Sequence, residues 1–305
     1  MRRRQRSLVG KVVAITGGAR GIGRATAAAL ISQGAVVALG DIDAELVRRT
    51  AAELGSGTLG LELDVTDRAS FDAFLTEVQR RLGRLDVMIN NAGIMPVGPF
   101  ISETDATAER ILEINVKGVL YGSRLALERF LGQGSGHLVN IASVAGKAGL
   151  PGGVSYCASK HAVVGLSEAI RQEVRGQGID ITIVMPVVVN TELGSGLSRI
   201  RGFGTAEPED VARAIVAALV HRRVDVYVPR SIGPLLRSQA VLPRPVIDLV
   251  TRLLGGDRVL MAPDRAARAA YEARLAAETA GAGAGAAAIG AGPPAAEASG
   301  YADHG

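Results

Sequence analysis

Tryptophan is absent, aromatic residues make up only 3% of the 305 positions, and there is a single cysteine, Cys157. One thiol cannot form an internal disulfide and leaves no cysteine cluster for zinc, a pattern suited to a reducing cytoplasm. No metal site is expected. No run of about 18 apolar residues free of charges or helix breakers occurs, so no membrane-spanning helix is expected either. Charge of one sign is also scarce, since 34 Lys and Arg against 30 Asp and Glu leave a formal +4. With so small a basic excess, few aromatics and no recognised binding motif, nucleic acid is not an expected partner. Apolar material is plentiful: 48% of the chain is hydrophobic and 21% charged, enough for a large core and incompatible with global disorder.

The ends differ from the rest. Residues 1–7 read as a basic arm rather than a signal peptide, because Lys11 interrupts the apolar run that follows the arginines. Residues 281–305, rich in Gly, Ala and Pro, read as a disordered tail with little side chain to bury. Between them, short β-branched runs alternate with longer amphipathic stretches, the pattern of βαβ units around a mostly parallel sheet. Strands are expected at 12–15, 36–39, 59–63, 87–89, 138–141, 181–185 and 226–228, and helices at 23–33, 44–54, 70–82, 106–131, 155–175 and 208–220. The fold expected is α/β, a doubly wound seven-stranded parallel sheet with helices on both faces, filling residues 8–229. A C-terminal helical extension is expected over 230–280.

The first expected strand runs directly into Thr-Gly-Gly-Ala-Arg-Gly-Ile-Gly, residues 16–23, and then into an alanine-rich helix. A glycine triplet alone means little in a chain with 39 glycines; placed between a strand and a helix it points to a dinucleotide. Gly17 permits the tight turn, Gly21 lets the backbone approach a pyrophosphate, and Gly23 lets the helix pack closely, while the amides that follow Ile22 face the anion. Asp41 follows the second expected strand, 18 residues beyond Gly23, near the offset at which a carboxylate accepts bonds from an adenosine ribose. That charge favours NAD over NADP. Arg20 pulls the other way, because a guanidinium in the turn can pair with a 2′-phosphate, so NADP is not excluded.

From here the sequence resembles the short-chain dehydrogenase/reductase family over residues 8–228. The turn has that family's T-G-x-x-x-G-I-G spacing. Asp64 and Val65 look like its adenine-binding pair, Asn90-Asn91-Ala92-Gly93 like its N-N-A-G motif, and Asn115, Ser143, Tyr156 and Lys160 like its catalytic tetrad. The resemblance implies a Rossmann fold, a nicotinamide cofactor contacted by Asn91, Ala92 and Gly93 and by Tyr156 and Lys160, the lysine holding the nicotinamide ribose, assembly as a homodimer or homotetramer, and a water held near Asn115. One departure stands out. Where the family has Pro-Gly and then Thr, this chain reads Pro186-Val187-Val188-Val189-Asn190-Thr191. Val189 and Thr191 are still expected to meet the carboxamide, but Val187 in place of glycine is expected to redirect the loop or narrow the pocket.

The residues support the same chemistry on physical grounds. Tyr156 and Lys160 are four apart in a helical stretch and project from one face. A free tyrosine has a pKa of about 10, and an ammonium beside it favours the phenolate needed for a general base near neutral pH. Ser143 can hydrogen-bond the substrate oxygen and stabilise its developing charge. His137, His161 and His221 are spaced for neither a metal nor a hydrolase triad, and Cys157 faces away from Tyr156 into packing.

Segments 94–100, 144–154 and 193–203 border the expected substrate site. They supply Ile94, Met95, Leu150, Leu193, Leu197, Ile200 and Phe203, joined by Val187, and favour an apolar alcohol or ketone of lipid, sterol or retinoid kind, although Arg199 and Arg201 leave acidic substrates open. Residues 230–260 interleave leucines and valines with Arg230, Arg237, Arg244, Arg252 and Arg258, suiting peripheral contact with a membrane, a cover over the pocket or a subunit contact. Besides an NAD-linked oxidation, ketone reduction with NADPH and a non-catalytic dinucleotide sensor remain open at this point.

Overall fold

The computed structural model describes residues 5–198, 204–238, 242–256, 258–261 and 263–276. The β-branched runs form seven strands: β1 (Val12–Thr16), β2 (Val36–Asp41), β3 (Leu59–Glu62), β4 (Val87–Asn90), β5 (Gly136–Ile141), β6 (Ile179–Pro186) and β7 (Asp225–Val228). The amphipathic stretches form α1 (Gly21–Ile31), α2 (Ala44–Leu54), α3 (Arg68–Leu82), α4 (Asp105–Leu112), α5 (Gly118–Gln133), α6 (Val154–Glu173), α7 (Pro208–His221), α8 (Ile232–Ser238) and α9 (Arg244–Leu253). Every strand pair is parallel, in the order β3-β2-β1-β4-β5-β6-β7.

Alternating side chains divide the core between the two faces of the sheet. Val13, Ile15, Val37, Leu39 and Ile89 pack with residues of α1, α2 and α7. Ala14, Ala38, Met88 and Leu138 pack on the other face with Phe71 and Phe74 of α3, Phe130 of α5 and the end of α6. Strand order reverses between β1 and β4, so crossovers leave in opposite directions there and a crevice opens beyond the carboxyl ends of those strands. Thr16, Gly17, Asn90 and Asn91 lie at that crevice.

The single helix expected at 106–131 is interrupted. Glu113–Lys117 makes a π-turn between α4 and α5. The extra residue in the turn carries Asn115 fully inside, where its side chain finds the bonds described below, and π-turns of this kind recur at functional sites.

His137 of β5 is 1% exposed, and its Nε2 lies 2.8 Å from Thr182 Oγ1, which donates in turn to the Arg223 carbonyl. Burial, assisted by Arg6 and Arg222, holds the imidazole down to about 3. The unfolded chain therefore binds a proton below about pH 6.5 that the fold refuses until about pH 3, so stability falls with acid across that window. We expect His137→Gln, which can still donate to Thr182, to flatten the dependence of urea-unfolding free energy on pH between 6 and 5 by about 1 kcal/mol per pH unit. An unaltered slope would remove His137 from the acid response.

Prolines punctuate the C-terminal part: Pro243 caps α9 and Pro245 stands in its first turn. No residue of α9 is buried. The chain divides into two compact units, residues 1–268 and 269–305. Residues 265–276 are helical. Among the described residues no helix is long and apolar enough to cross a membrane. Ile200, Phe203, Arg199, Arg201, Val241 and the tail at 281–305 lie outside the described residues.

Candidate active site

The glycine turn sits at the crevice, and close approach explains its composition. Gly17 has φ 63° and Gly21 φ 52°, conformations that L side chains rarely adopt. A Cβ on Gly23 would stand 2.2 Å from the Gly17 carbonyl oxygen, and one on Gly17 2.9 Å from Ala92 Cα. Asn91 locks this arrangement: its Nδ2 donates to the carbonyls of Thr16 (2.8 Å) and Gly17 (3.0 Å). Thr16 Oγ1 receives the amides of Asn91 and Ala92. The ends of β1 and β4 are thus tied by side chains where the sheet itself stops.

α1 differs from its neighbours at its start. Asp43, Asp67 and Thr104 cap α2, α3 and α4 with side-chain oxygens. α1 begins after Arg20 with no side-chain cap and no acidic residue in its first turn. Its leading amides and partial positive charge suit an anionic group. Asp41, at the end of β2, accepts the amides of Ala19 (3.0 Å) and Asp43 (3.2 Å), one on each carboxylate oxygen. Each oxygen keeps an acceptor position for a hydroxyl. Arg20 is engaged elsewhere, by Asp43 at 2.9 Å and Glu192 at 3.5 Å. Its charge is largely matched within the protein. Ile22 packs half-buried on the core, and Val65 lies against Gly118, its side chain within the core cluster on that face of the sheet. Asp64 turns back on Thr66, accepting both its amide and its hydroxyl. Thr191 meets Gly21, where an added Cβ would lie 3.3 Å from Thr191 Cγ2, and Val189 pairs with Ala206.

The tetrad residues converge beside this cradle. Tyr156 and Lys160 are 7% and 5% exposed, one turn apart on α6, with Lys160 Nζ 5.7 Å from the Tyr156 ring centroid. Lys160 Nζ donates to the Ile141 carbonyl at 3.0 Å. Burial pulls its ammonium down to about 8. Asn115 Oδ1 accepts the Ile94 amide, and its Nδ2 donates to the Ile94 carbonyl and to Ser159 Oγ, which in turn donates to the Tyr156 carbonyl. The Asn115 side chain therefore binds protein groups and anchors the first turn of α6, so a water held nearby has little of its bonding capacity to use. Gly93 stands against both groups, its absent Cβ 3.1 Å from Asn115 Oδ1 and 3.6 Å from Lys160 Nζ. Ser143 Oγ accepts the Ala145 amide at 3.1 Å and donates to the Pro186 carbonyl at 3.4 Å, a long bond that a substrate oxygen can replace.

Tyr156 lies in an apolar cluster with Met95, Ala145, Cys157, Val259 and Leu260, flanked by Leu150, Val188, Leu193 and Leu197. Ile94 is buried, but its backbone serves Asn115. Val187 does not line this cluster: it turns into the core behind the sheet, its amide bonded to the Val228 carbonyl, and Val188 takes the place beside the tyrosine. Cys157 packs, its thiol pushed up by burial. Among the described residues no group of His, Cys, Asp and Glu could hold a metal.

A sequence model for short chain dehydrogenases matches residues 11–200. The chain belongs to the short-chain dehydrogenase/reductase family. Short-chain dehydrogenases and reductases act on CH–OH groups with NAD or NADP. The 2-(S)-hydroxypropyl-CoM dehydrogenase 3 of Xanthobacter autotrophicus is 38% identical over 233 residues, 70% of this chain and 90% of its own. The 17-beta-hydroxysteroid dehydrogenase 13 of Rattus norvegicus is 30% identical over 276 residues, 88% of this chain and 87% of its own. A short-chain dehydrogenase/reductase from Burkholderia phymatum, solved in complex with NAD, matches with TM-score 0.72 and 28% identity, covering 80% of this chain and 96% of that one.

Residues that sequence reasoning left without a role also belong to this site. Ser159 lies inside the Y-C-A-S-K motif, and its spacing from Tyr156 was the available signal. Arg268 and Leu260 gave none, because they are distant along the chain.

Proposed function

We propose that this short-chain dehydrogenase oxidises an apolar secondary alcohol to a ketone with NAD. The Tyr156–Lys160 pair carries the reading: a phenol beside a buried ammonium, set among leucines, valines and methionine next to a dinucleotide cradle. The dinucleotide, when bound, supplies the hydride acceptor. Tyr156 takes the hydroxyl proton, Lys160 favours its phenolate, and Ser143 exchanges its long bond to Pro186 for one to the substrate oxygen. Gly17, Gly21, Ile22 and Gly23 receive the pyrophosphate through their backbone, Asp41 the adenosine ribose, Asp64 and Val65 the adenine side, and Asn91, Ala92, Gly93, Val189 and Thr191 the nicotinamide half. Matching of Arg20 by Asp43 and Glu192 supports NAD over NADP.

Lipophilic character has two supports. Leucine, valine and methionine side chains pack around Tyr156, and an apolar pocket lined by Leu150, Ile232, Leu236, Val250 and Leu254 among others adjoins them at Leu150. The alignment with the hydroxysteroid dehydrogenase runs well past the family model into these C-terminal segments. Peripheral contact with an anionic membrane completes the proposal: Val246, Leu249 and Leu253 form an exposed strip on α9 beside Arg244 and Arg252. The single thiol suits the cytoplasm, and a homodimer or homotetramer is the assembly that family membership implies.

The test is a screen of lipophilic secondary alcohols with NAD, followed by NADH absorbance, with flotation on anionic and neutral vesicles alongside. Turnover of sterol-like or long-chain alcohols and not of polyols supports the reading. Preference for sorbitol-like polyols, or reduction only with NADPH, overturns it. Flotation lost with Leu249→Asp on anionic vesicles supports the membrane contact; a change of oligomeric state instead assigns the strip to a second copy.

A further inference from the structure

The segment after α9 returns to the candidate active site. Val259 and Leu260 are 0% and 2% exposed and pack in the same cluster as Tyr156 and Met95. Their approach is close enough to forbid side chains opposite them: a Cβ on Gly152 would stand 2.5 Å from the Leu260 carbonyl, and one on Gly153 2.5 Å from Leu260 Cδ1. Four residues beyond Leu260, the Asp264 amide donates to the Gly196 carbonyl at 2.8 Å, and a Cβ on Gly196 would meet the Asp264 oxygen at 2.4 Å. The segment thus touches the loop before α6 and the loop after β6.

Arg268 ties the arrangement together. It is 0% exposed, the largest fully buried side chain among the described residues. One guanidinium nitrogen donates to the carbonyls of Leu193 and Ser195, each at 3.0 Å, and another donates to the carbonyl of Met95. These carbonyls belong to the loops after β6 and after β4, both of which pack against the cluster that holds the tyrosine. A guanidinium presents its donors in a rigid plane, so three bonds to two loops fix their separation as well as their presence. Lysine, a point charge on a flexible stem, cannot hold both loops at a set distance.

We propose that Arg268 is a positioning residue that latches the two substrate loops, and that Leu260 is a wall of the substrate cavity that sets which alcohols fit. The proposal deepens the reading of the protein as an alcohol dehydrogenase and rests on it for its kinetic arm. Arg268 makes no bond to the glycine turn, so cofactor binding is expected to be independent of it.

The experiment compares wild type, Arg268→Met, Arg268→Lys and Leu260→Ala by hydrogen exchange and by kinetics on the best alcohol of the screen. In Arg268→Met, amides of 95–98 and 193–196 are expected to exchange at least tenfold faster, those of β1 and β4 serving as the internal reference for intact folding. KM is expected to rise tenfold or more, with the NAD-induced shift in Tm unchanged. Arg268→Lys is expected to recover part of the protection and part of the KM. Leu260→Ala is expected to shift preference toward bulkier alcohols. Unchanged exchange in both loops overturns the latch, whether or not any alcohol is turned over; faster exchange with unchanged KM overturns its role in the reaction. Should Arg268→Met lose the β1 and β4 protection as well, the Lys variant decides by the same two readings. Absence of turnover in wild type rejects the alcohol dehydrogenase reading and leaves the exchange result standing by itself.

Discussion

Tyr156→Phe is expected to lower kcat by about 10³-fold while leaving most of the thermal stabilisation by NAD in place, because it removes one hydroxyl and leaves the glycine turn, Asp41 and Asn91 intact. Lys160→Met separates two effects that the structure places on one side chain. Turnover is expected to fall by at least 10²-fold, since no ammonium then favours the phenolate. Stability is expected to move the other way. The folded ammonium titrates at about 8, against 10.5 when unperturbed, so below pH 8 the fold carries a penalty on the order of 3 kcal/mol for holding a charge away from water. That penalty fades as pH rises from about 8 to about 10.5, where the unfolded chain still binds the proton and the fold has released it. Methionine removes the penalty and forfeits one hydrogen bond, to Ile141, worth about 1.5–3 kcal/mol at a charged donor. The variant should therefore lose turnover and yet be at least as stable as wild type at pH 7, by up to about 1.5 kcal/mol, with any gain gone by pH 10, as urea unfolding at the two pH values would measure. A Tm below wild type at pH 7, or full turnover in either variant, would sink this account of the pair.

Much of the fold was legible because it is written in nearest-neighbour pattern. Short, β-branched runs such as Val12-Val13-Ala14-Ile15, bounded by glycine, are buried on both faces as central parallel strands are, and the seven observed strands lie within a residue or two of the expected ones. The candidate site was legible where chemistry and position coincide, as at the glycine turn and the Tyr156–Lys160 spacing. Three things were not. The π-turn at Asn115 depends on a partner, Ile94, that lies 21 residues earlier, and no helical periodicity signals it. Val187 and Val188 are chemically alike, so only the backbone path decides which one faces Tyr156. Arg268 reads in the sequence as one more arginine near the C-terminus; the acceptors described for it are backbone carbonyls, which carry no sequence signature, and one of them is 173 residues away.

The same limit applies to Arg20, whose partners could not be read from the turn that contains it, and the consequence is a testable cofactor preference. Asp41 has one acceptor position left on each oxygen once Ala19 and Asp43 are served, matching the two hydroxyls of an adenosine ribose. A 2′-phosphate would bring about two negative charges against that carboxylate while Arg20 is occupied by Asp43 and Glu192. Wild type is therefore expected to be stabilised by NAD and not measurably by NADP at equal concentration. Asp41→Ser is expected to weaken NAD by about tenfold, the cost of a lost charge-assisted bond, without creating a phosphate site. Adding Asp43→Ser releases Arg20 while a serine still caps α2 in place of the carboxylate that now receives the Leu46 amide. The double variant should then prefer NADP, because the guanidinium, left with only its longer contact to Glu192, can turn to make a bidentate bond to phosphate once the two aspartates beside it are gone. Titration of the three proteins with both dinucleotides, followed by Tm, measures all of this at once; equal stabilisation of wild type by NADP would mean that Arg20 leaves its carboxylates for the phosphate and that the charge at Asp41 does not select.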